Sequence, residues 1–144
     1  MIYENTYRNE TITQQINDLV GKPYSFLKSI QMGGTGSQRM KIDEVSNHFK
    51  NMTHPTEINY GSLEIRPNGI IFHISKGLQR FVWVIPYYKL VIFKSITLSI
   101  HGDGKFIKIK KTQFSKKNNS FISKIIDLKS KQNSNVNEQK KRTN

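Results

Sequence analysis

A cluster of lysines in the C-terminal half carries the clearest chemical signal in this chain. On a predicted strand over residues 105–111 the lysines alternate with apolar residues, and two further lysines follow closely. Lysine ammonium groups are point charges that attract phosphates and carboxylates. The sequence therefore predicts an anion-binding surface made of Lys108, Lys110, Lys111, Lys116 and Lys117.

Two aromatic rings accompany this predicted surface. Phe106 shares a strand face with Lys108 and Lys110, and His101 is its predicted cross-strand neighbour. Aromatic rings beside a basic surface can stack on nucleic-acid bases, so Phe106 and His101 are candidate stacking residues. The alternative interpretation is a solvated strand face, because lysine greatly outnumbers arginine and offers no bidentate contact with bases.

The charge is distributed unevenly along the chain of 144 residues. Residues 1–65 hold six Lys/Arg and seven Asp/Glu, whereas residues 66–144 hold seventeen and three, so the formal net charge of +13 lies in the C-terminal half. A one-sided basic surface attracts polyanions by long-range steering. We expect a binding module for an anionic partner, either an acidic protein or a membrane lipid headgroup. The alternative is a non-specific nucleic-acid-binding protein.

No catalytic, cofactor or metal signature rises above background, and we predict a non-enzymatic protein without a cofactor. The chain has no cysteine, which excludes disulfides and thiolate metal sites. The Gly-rich stretch at 33–37 lacks the Gly-Lys-Ser/Thr ending and the preceding strand of a phosphate loop, so it is predicted to be an interhelical loop.

The remaining candidates for chemistry are few. Glu64 and His73 form the one predicted acid–imidazole pair, which on a sheet surface is usually a modest cross-strand contact. The four histidines do not show metal-ligand spacing, so no metal site is predicted. For the least favoured hypothesis, an enzyme with an unrecognised pocket, the first residues to inspect are His48, His54 and Tyr60.

The elements that position these residues divide the chain into three parts. Residues 1–57 are predicted to be helical, with an apolar stripe at 12–20 ended by Gly21, a short helix from Pro23 through Ile30, and a third helix over 42–52. Residues 58–128 are predicted to form a bent antiparallel sheet with a C-terminal helix. Residues 129–144 contain one apolar residue and are predicted to be a disordered basic tail.

Two β-hairpins define the predicted sheet. Asn68-Gly69 and Asp103-Gly104 are strong signals for two-residue turns. With those turns, the paired apolar residues are Ile65 with Phe72, Leu63 with Ile74, Ile100 with Ile107, and Leu98 with Ile109. Between the hairpins, residues 81–85 are apolar on both faces, as expected of a strand covered on two sides. The stripe at 121–128 predicts an amphipathic helix that docks on the sheet.

The order of these elements resembles bacterial pleckstrin-homology-like domains over about residues 63–128. The similar features are the Pro-Asn-Gly-Ile turn, the strand ending in Val84-Ile85-Pro86-Tyr87, the second hairpin and the terminal helix. The resemblance implies an α+β fold in which a bent sheet forms a partly open barrel and the last helix plugs one end. It also implies a binding role toward lipids or proteins. In this chain the predicted helices before Ile58 replace at least one strand of that pattern.

Location can be addressed only through targeting signals. The N-terminal residues lack the basic and apolar regions of a signal peptide, and the longest apolar stretch, residues 81–93, is shorter than a membrane span of about 20 residues. We expect a cytoplasmic protein, with peripheral attachment at the inner membrane surface as the alternative.

Overall fold

Eight antiparallel strands and three α-helices form a mixed α+β fold within residues 1–110 and 116–143, which the computed structural model describes, with side chains through residue 135. The strands are β1 Ile2–Glu4, β2 Met40–Val45, β3 Asn59–Arg66, β4 Gly69–Lys76, β5 Gln79–Pro86, β6 Val91–Lys94, β7 Thr97–Gly102 and β8 Lys105–Lys110. The α-helices are α1 Glu10–Val20, α2 Phe26–Gln31 and α3 Lys116–Thr143, and 3₁₀ helices span Asn47–Met52 and Tyr87–Lys89.

The strands form one open sheet that is strongly bent. Its order is β1-β5-β4-β3-β2-β8-β7-β6, with β1 and β6 as free edges. Strands β5 and β7 are five positions apart in this order, which would separate them by about 24 Å in a flat sheet. However, a Cβ on Gly102 of β7 would lie 2.8 Å from Ile85 Cγ2 of β5. The two halves of the sheet therefore curl toward each other around the core.

The bend produces two hydrophobic clusters, one on each face of the sheet. The concave face holds the main core, which includes Phe72, Trp83 and Ile100, and α3 adds Phe121, Ile122 and Ile125 to it. On the convex face, α1 packs on Ile71, Val82 and Val84 through Ile16 and Val20. Strand β5 is thus buried on both sides, as predicted from its continuous apolar run.

Three predictions are confirmed: the second hairpin, the first helix, and the docking of the last helix on the sheet. In β7–β8, Ile100 pairs with Ile107 and Leu98 with Ile109, and the turn residue Asp103 has a φ of 51°. That left-handed conformation is typical of the Asp-Gly hairpin turn. Helix α1 begins after Asn9, whose side chain accepts hydrogen bonds from two helix amides, and Gly21 ends it.

The turn predicted for the first hairpin, Asn68-Gly69, lies one residue too late in the chain, so the predicted pairing of β3 with β4 is wrong. Ile65 pairs with Ile70 and Leu63 with Phe72, so Pro67 and Asn68 form the turn. Proline fixes φ near −65° and is favoured at the first corner of a turn, which moves the turn one residue earlier. Gly69 instead permits a close approach, because a Cβ there would lie 2.4 Å from the carbonyl oxygen of Ile85.

The prediction that residues 1–57 are helical is wrong in two places, and the short helix predicted from Pro23 begins only at Phe26, after its N-cap Ser25. Residues 2–4 form β1, and the predicted helix over 42–52 is replaced by β2 and the 3₁₀ helix Asn47–Met52. Strand β2 pairs with both β3 and β8, so it joins the two hairpins into one sheet. The apolar residues of 42–52 are spaced as in a helix. This local preference is outweighed by the hydrogen bonds that β2 forms with both β3 and β8.

The prediction of a disordered tail over 129–144 is also wrong for the described part, because α3 continues through Thr143. The low apolar content argued against a segment that folds alone. A helix that is already formed and docked can be extended more easily, since each added residue gains one hydrogen bond without a new nucleation step. Residues 129–143 contain no glycine or proline that would stop it, and Lys129 Nζ donates a hydrogen bond to Tyr87 O at 2.9 Å.

Candidate functional site: a lysine groove beside the Gly-rich loop

The predicted stacking residues are neighbours on the convex face of the sheet. His101 on β7 pairs with Phe106 on β8, and their ring centroids are 5.7 Å apart. Phe93 on β6 extends the row, with its ring 5.1 Å from His101 in an edge-to-face arrangement. Burial lowers the pKa of His101, and the nearby Lys108 ammonium lowers it further. The imidazole is therefore neutral at pH 7 and adds no charge to this surface.

Two of the five predicted anion-binding lysines face carboxylates. Lys108 Nζ lies 3.4 Å from Glu44 Oε2, and Lys110 Nζ lies 3.9 Å from Asp43 Oδ1. The acidic residues come from β2, which lies beside β8 in the sheet. Exposed ion pairs of this kind contribute little to stability, yet they reduce the positive charge that β8 presents. Lys111 lies outside the described residues.

The other two predicted lysines lie in a different place, at the start of α3. Lys116 and Lys117 line a surface groove of about 510 Å³ together with Lys124, one helical turn beyond Ser120. The opposite wall is the loop at 33–38, which includes the Gly-rich stretch. We call this feature the lysine groove; its lining residues are Gly33, Gly36, Ser37, Gln38, Lys116, Lys117, Asn118, Ser120, Phe121 and Lys124.

Hydrogen bonds hold the two walls of the lysine groove together. The backbone N–H of Gln38 donates to Asn118 Oδ1 at 3.0 Å, and Asn118 is buried. Lys124 Nζ donates to Gly34 O at 3.2 Å and lies 5.8 Å from the ring centroid of Phe121. The loop is also tied to the sheet, because Ser37 Oγ accepts a hydrogen bond from Leu63 N at 2.8 Å. The groove is therefore a fixed feature of the fold.

Within the described part of the chain, the lining of the lysine groove is cationic and contains no carboxylate. Among the described residues, no carboxylate forms an ion pair with Lys116, Lys117 or Lys124, whereas Lys89, Lys108 and Lys110 each have one. The groove combines ammonium groups with the hydroxyl and amide groups of the loop. That chemistry suits a phosphate or carboxylate ligand.

The sequence analysis identified the Gly-rich stretch and the lysines Lys116 and Lys117, but it did not predict that they lie next to each other. The Gly-rich stretch lies in a loop, but this loop joins α2 to β2 and is not the predicted interhelical loop, because the helix predicted over 42–52 is replaced by a strand. What brings it to Lys116 and Lys117 is a contact between residues 38 and 118, eighty positions apart. No local pattern in the sequence signals such a contact.

Glu64 and His73 are in contact, but diagonally and not directly opposite each other as predicted, because Glu64 lies opposite Ile71 and His73 opposite Ser62. Glu64 Oε1 lies 2.9 Å from His73 Nε2, and the other carboxylate oxygen accepts a hydrogen bond from Arg66 Nε. Arg66 also donates from Nη1 to Asn17 Oδ1 at 2.9 Å and to Gly21 O at 2.8 Å. Both carboxylate oxygens are therefore occupied, and the cluster joins β3 and β4 to the end of α1.

Protonation of the Glu64 carboxylate is expected to destabilise the folded protein in acid. Burial raises the pKa of Glu64, but hydrogen bonds from His73 and Arg66 outweigh it and hold the pKa below its ordinary value. A lowered folded-state pKa stabilises the protein above the unfolded-state pKa, and this contribution disappears as the pH falls through the folded-state value. We expect Glu64→Gln to destabilise the protein at pH 7, with a difference from the wild type that begins to shrink below about pH 4.5 and disappears only below the lowered folded-state pKa.

Urea unfolding of both proteins from pH 7 down to pH 3 measures this convergence. Glu10→Gln, which alters an exposed pair with Arg8, is the control and should differ little from the wild type at any pH. A constant gap between the wild type and Glu64→Gln across the whole range would contradict the assignment.

The residues named for an unrecognised enzyme do not converge. His54 and Tyr60 line one shallow surface depression with Arg39, whose guanidinium carbon lies 4.3 Å from the Tyr60 ring centroid. His48 is elsewhere, with Nδ1 3.4 Å from Ser46 Oγ. Within the described residues, no group of three His, Cys, Asp or Glu side chains could hold a metal ion.

Comparison with known proteins adds no relative. No family model matches the chain, and no curated protein or solved structure is significantly similar to it. In the described part of the chain, none of the helices is both long and apolar enough to cross a bilayer.

Proposed function

We propose that this protein is a non-enzymatic binding module that recognises an anionic partner through the lysine groove. The observation that carries the proposal is the grouping of Lys116, Lys117 and Lys124 against a Gly-rich loop, with no acidic residue in the lining. Evenly dispersed surface lysines would serve solubility alone. Here three of them converge on one concavity that hydrogen bonds keep in shape.

In this proposal the predicted anion-binding lysines contribute unequally to binding. Lys116 and Lys117 keep their predicted role, and Lys124 joins them. Lys108 and Lys110 contribute less, because Glu44 and Asp43 already balance their charge. The absence of a free acid–base pair at Glu64 and His73 favours binding over catalysis. The resemblance to pleckstrin-homology-like domains favours the same conclusion and stays a prediction.

The partner class follows from the lysines. They offer charge without the planar geometry by which arginine selects bases, which favours an acidic protein or a lipid headgroup over a specific nucleic-acid sequence. Such partners agree with the expected location in the cytoplasm or at the inner membrane surface. Non-specific nucleic-acid binding is the second candidate, favoured by the row of Phe93, His101 and Phe106 beside Lys108.

A charge-neutralising triple variant tests the proposal. Lys116→Gln, Lys117→Gln and Lys124→Gln together should weaken binding to anionic vesicles by about 100-fold, taking about 1 kcal/mol for each lysine near the surface. Binding to a labelled 20-mer RNA should weaken as well. The slope of log affinity against log salt concentration should become shallower by about 0.7 for each phosphate contact removed. Fluorescence anisotropy and vesicle co-sedimentation measure the two.

The matched control is Lys50→Gln, Lys76→Gln and Lys94→Gln, which removes the same charge outside the lysine groove. It should retain most of the binding. Equal losses in the two triple variants would mean that net charge alone attracts anions and would refute the groove as the site. A thermal melt of each variant checks that the fold is retained, because Lys124→Gln removes the hydrogen bond to Gly34 O and Lys76→Gln removes the one to Asn51 O.

A further inference from the structure

Helix α2 exposes an apolar face that no part of the described chain covers. Phe26 is 80 % exposed, Leu27 is 73 % exposed and Ile30 is 59 % exposed. At 100° per residue these three side chains lie on one side of the helix, with Lys28 opposite. Side chains of this kind are usually buried or used for binding when they cluster on a surface.

The exposed face belongs to a helix that the fold holds in place. Ser25 caps α2 by accepting a hydrogen bond from Lys28 N at 3.2 Å. Gly34 N donates to Ser29 O at 2.8 Å, and Tyr24 and Met32 on either side of the helix pack against the main core. The apolar side chains therefore project from an anchored support, so their exposure is a property of the folded state.

The apolar face lies next to the lysine groove. The loop that forms one wall of the groove continues directly from α2, and Ile30 is three residues before Gly33, so their Cα atoms are at most about 11 Å apart. Lys124 Nζ donates to Gly34 O across the same junction. Apolar and cationic groups thus share one region of the surface.

The sequence around α2 is free of negative charge. Residues 19–42 contain no Asp or Glu and include Lys22, Lys28, Arg39 and Lys41. We propose that α2 inserts Phe26, Leu27 and Ile30 into the surface of an anionic lipid bilayer while the lysine groove contacts the headgroups. This inference rests on the proposed function and names its partner.

The exposure of these side chains beside the lysines favours a bilayer over a macromolecular partner. Phe26 and Leu27 are largely exposed, and a protein partner would need a complementary pocket to bury them, whereas a bilayer needs none. Nucleic acid would meet the lysines but would leave the aliphatic side chains in water. A bilayer satisfies both, because anchoring by apolar side chains adds to attraction between lysines and anionic lipid without requiring a matched surface.

An environment-sensitive label tests insertion directly. Because the chain has no cysteine, Leu27→Cys carries a single nitrobenzoxadiazole label at a known position. We expect its emission to rise several-fold and shift to the blue on vesicles of phosphatidylcholine with about one-third phosphatidylglycerol, and to stay unchanged on pure phosphatidylcholine. The control is Leu78→Cys, which labels an even more exposed leucine on the turn between β4 and β5 and should report water throughout.

A second variant keeps the test independent of labelling. Phe26→Ser with Ile30→Ser should weaken binding to the same vesicles by about tenfold or more, with binding to the labelled RNA and the melting temperature unchanged. Vesicle binding without a response from the Leu27→Cys label, or with equal responses at both labels, would overturn insertion. Binding to RNA but not to vesicles would overturn the lipid assignment and leave the proposed function standing. Failure to bind either probe would overturn both.

Discussion

Replacing Arg66 with alanine is expected to destabilise the protein by about 3–5 kcal/mol. Arg66 is 9 % exposed and donates to three partners: Glu64, Asn17 Oδ1 and Gly21 O. Its removal leaves a half-buried carboxylate without its cation and leaves Gly21 O, at the end of α1, without its hydrogen bond from the guanidinium. Buried polar groups left without a partner destabilise the folded state, because they have lost their hydration without gaining a hydrogen bond.

The measurement is the free energy of unfolding in urea at pH 7. Arg8→Ala is the matched control, because Arg8 pairs with Glu10 at 3.2 Å while both side chains are largely exposed. Exposed pairs contribute about 0–1 kcal/mol, so this variant should unfold close to the wild type. If both arginine variants lost the same small amount, the buried cluster would not be a principal link between α1 and the sheet.

Truncation of Phe49 to alanine should cost about 3–5 kcal/mol, the range found for buried aromatic side chains. Phe49 is fully buried on the 3₁₀ helix Asn47–Met52, and its ring centroid lies 5.0 Å from that of Trp83 on β5. The alanine variant leaves a cavity beside the largest side chain of the core. In a chain of this size the loss corresponds to a fall in melting temperature of about 10 °C or more.

The matched control for Phe49→Ala is Phe26→Ala, which shortens the same residue type on the exposed face of α2. It should change the free energy of unfolding by about 0.5 kcal/mol or less. Comparable losses in the two variants would contradict either the burial of Phe49 or the exposure of Phe26. The comparison therefore also checks the surface from which we infer bilayer insertion.

The parts of the fold that sequence predicted correctly are those fixed by local chemistry. The Asp103-Gly104 turn requires left-handed backbone, and alternation then sets the register of β7 and β8. Asn9 and Gly21 supply both ends of α1. The stripe at 121–128 identifies the face by which α3 enters the core, because few other arrangements bury so many apolar residues on one side.

The missed strand β2 and the missed groove have their cause in contacts that are distant in sequence, whereas the turn of the first hairpin was missed for a local reason. Asp43 and Glu44 were predicted to lie in the helix over 42–52, yet they lie on a strand where Lys110 and Lys108 face them. Proline rather than glycine set the turn of the first hairpin, since Gly69 serves the approach of Ile85 and Val20. The lysine groove depends on the bond between Gln38 and Asn118, so the sequence could predict Lys116 and Lys117 but not the loop opposite them.

The most direct test of the central claim is a titration of the ¹⁵N-labelled protein with inorganic tripolyphosphate, followed by amide chemical shifts. The account predicts saturable changes at residues 33–38 and 116–124, the two walls of the lysine groove. The amides of Glu44 and Lys108, which already form an ion pair, should move little. Changes centred on β2 and β8 with an unaffected groove, or no saturable change at all, would contradict it.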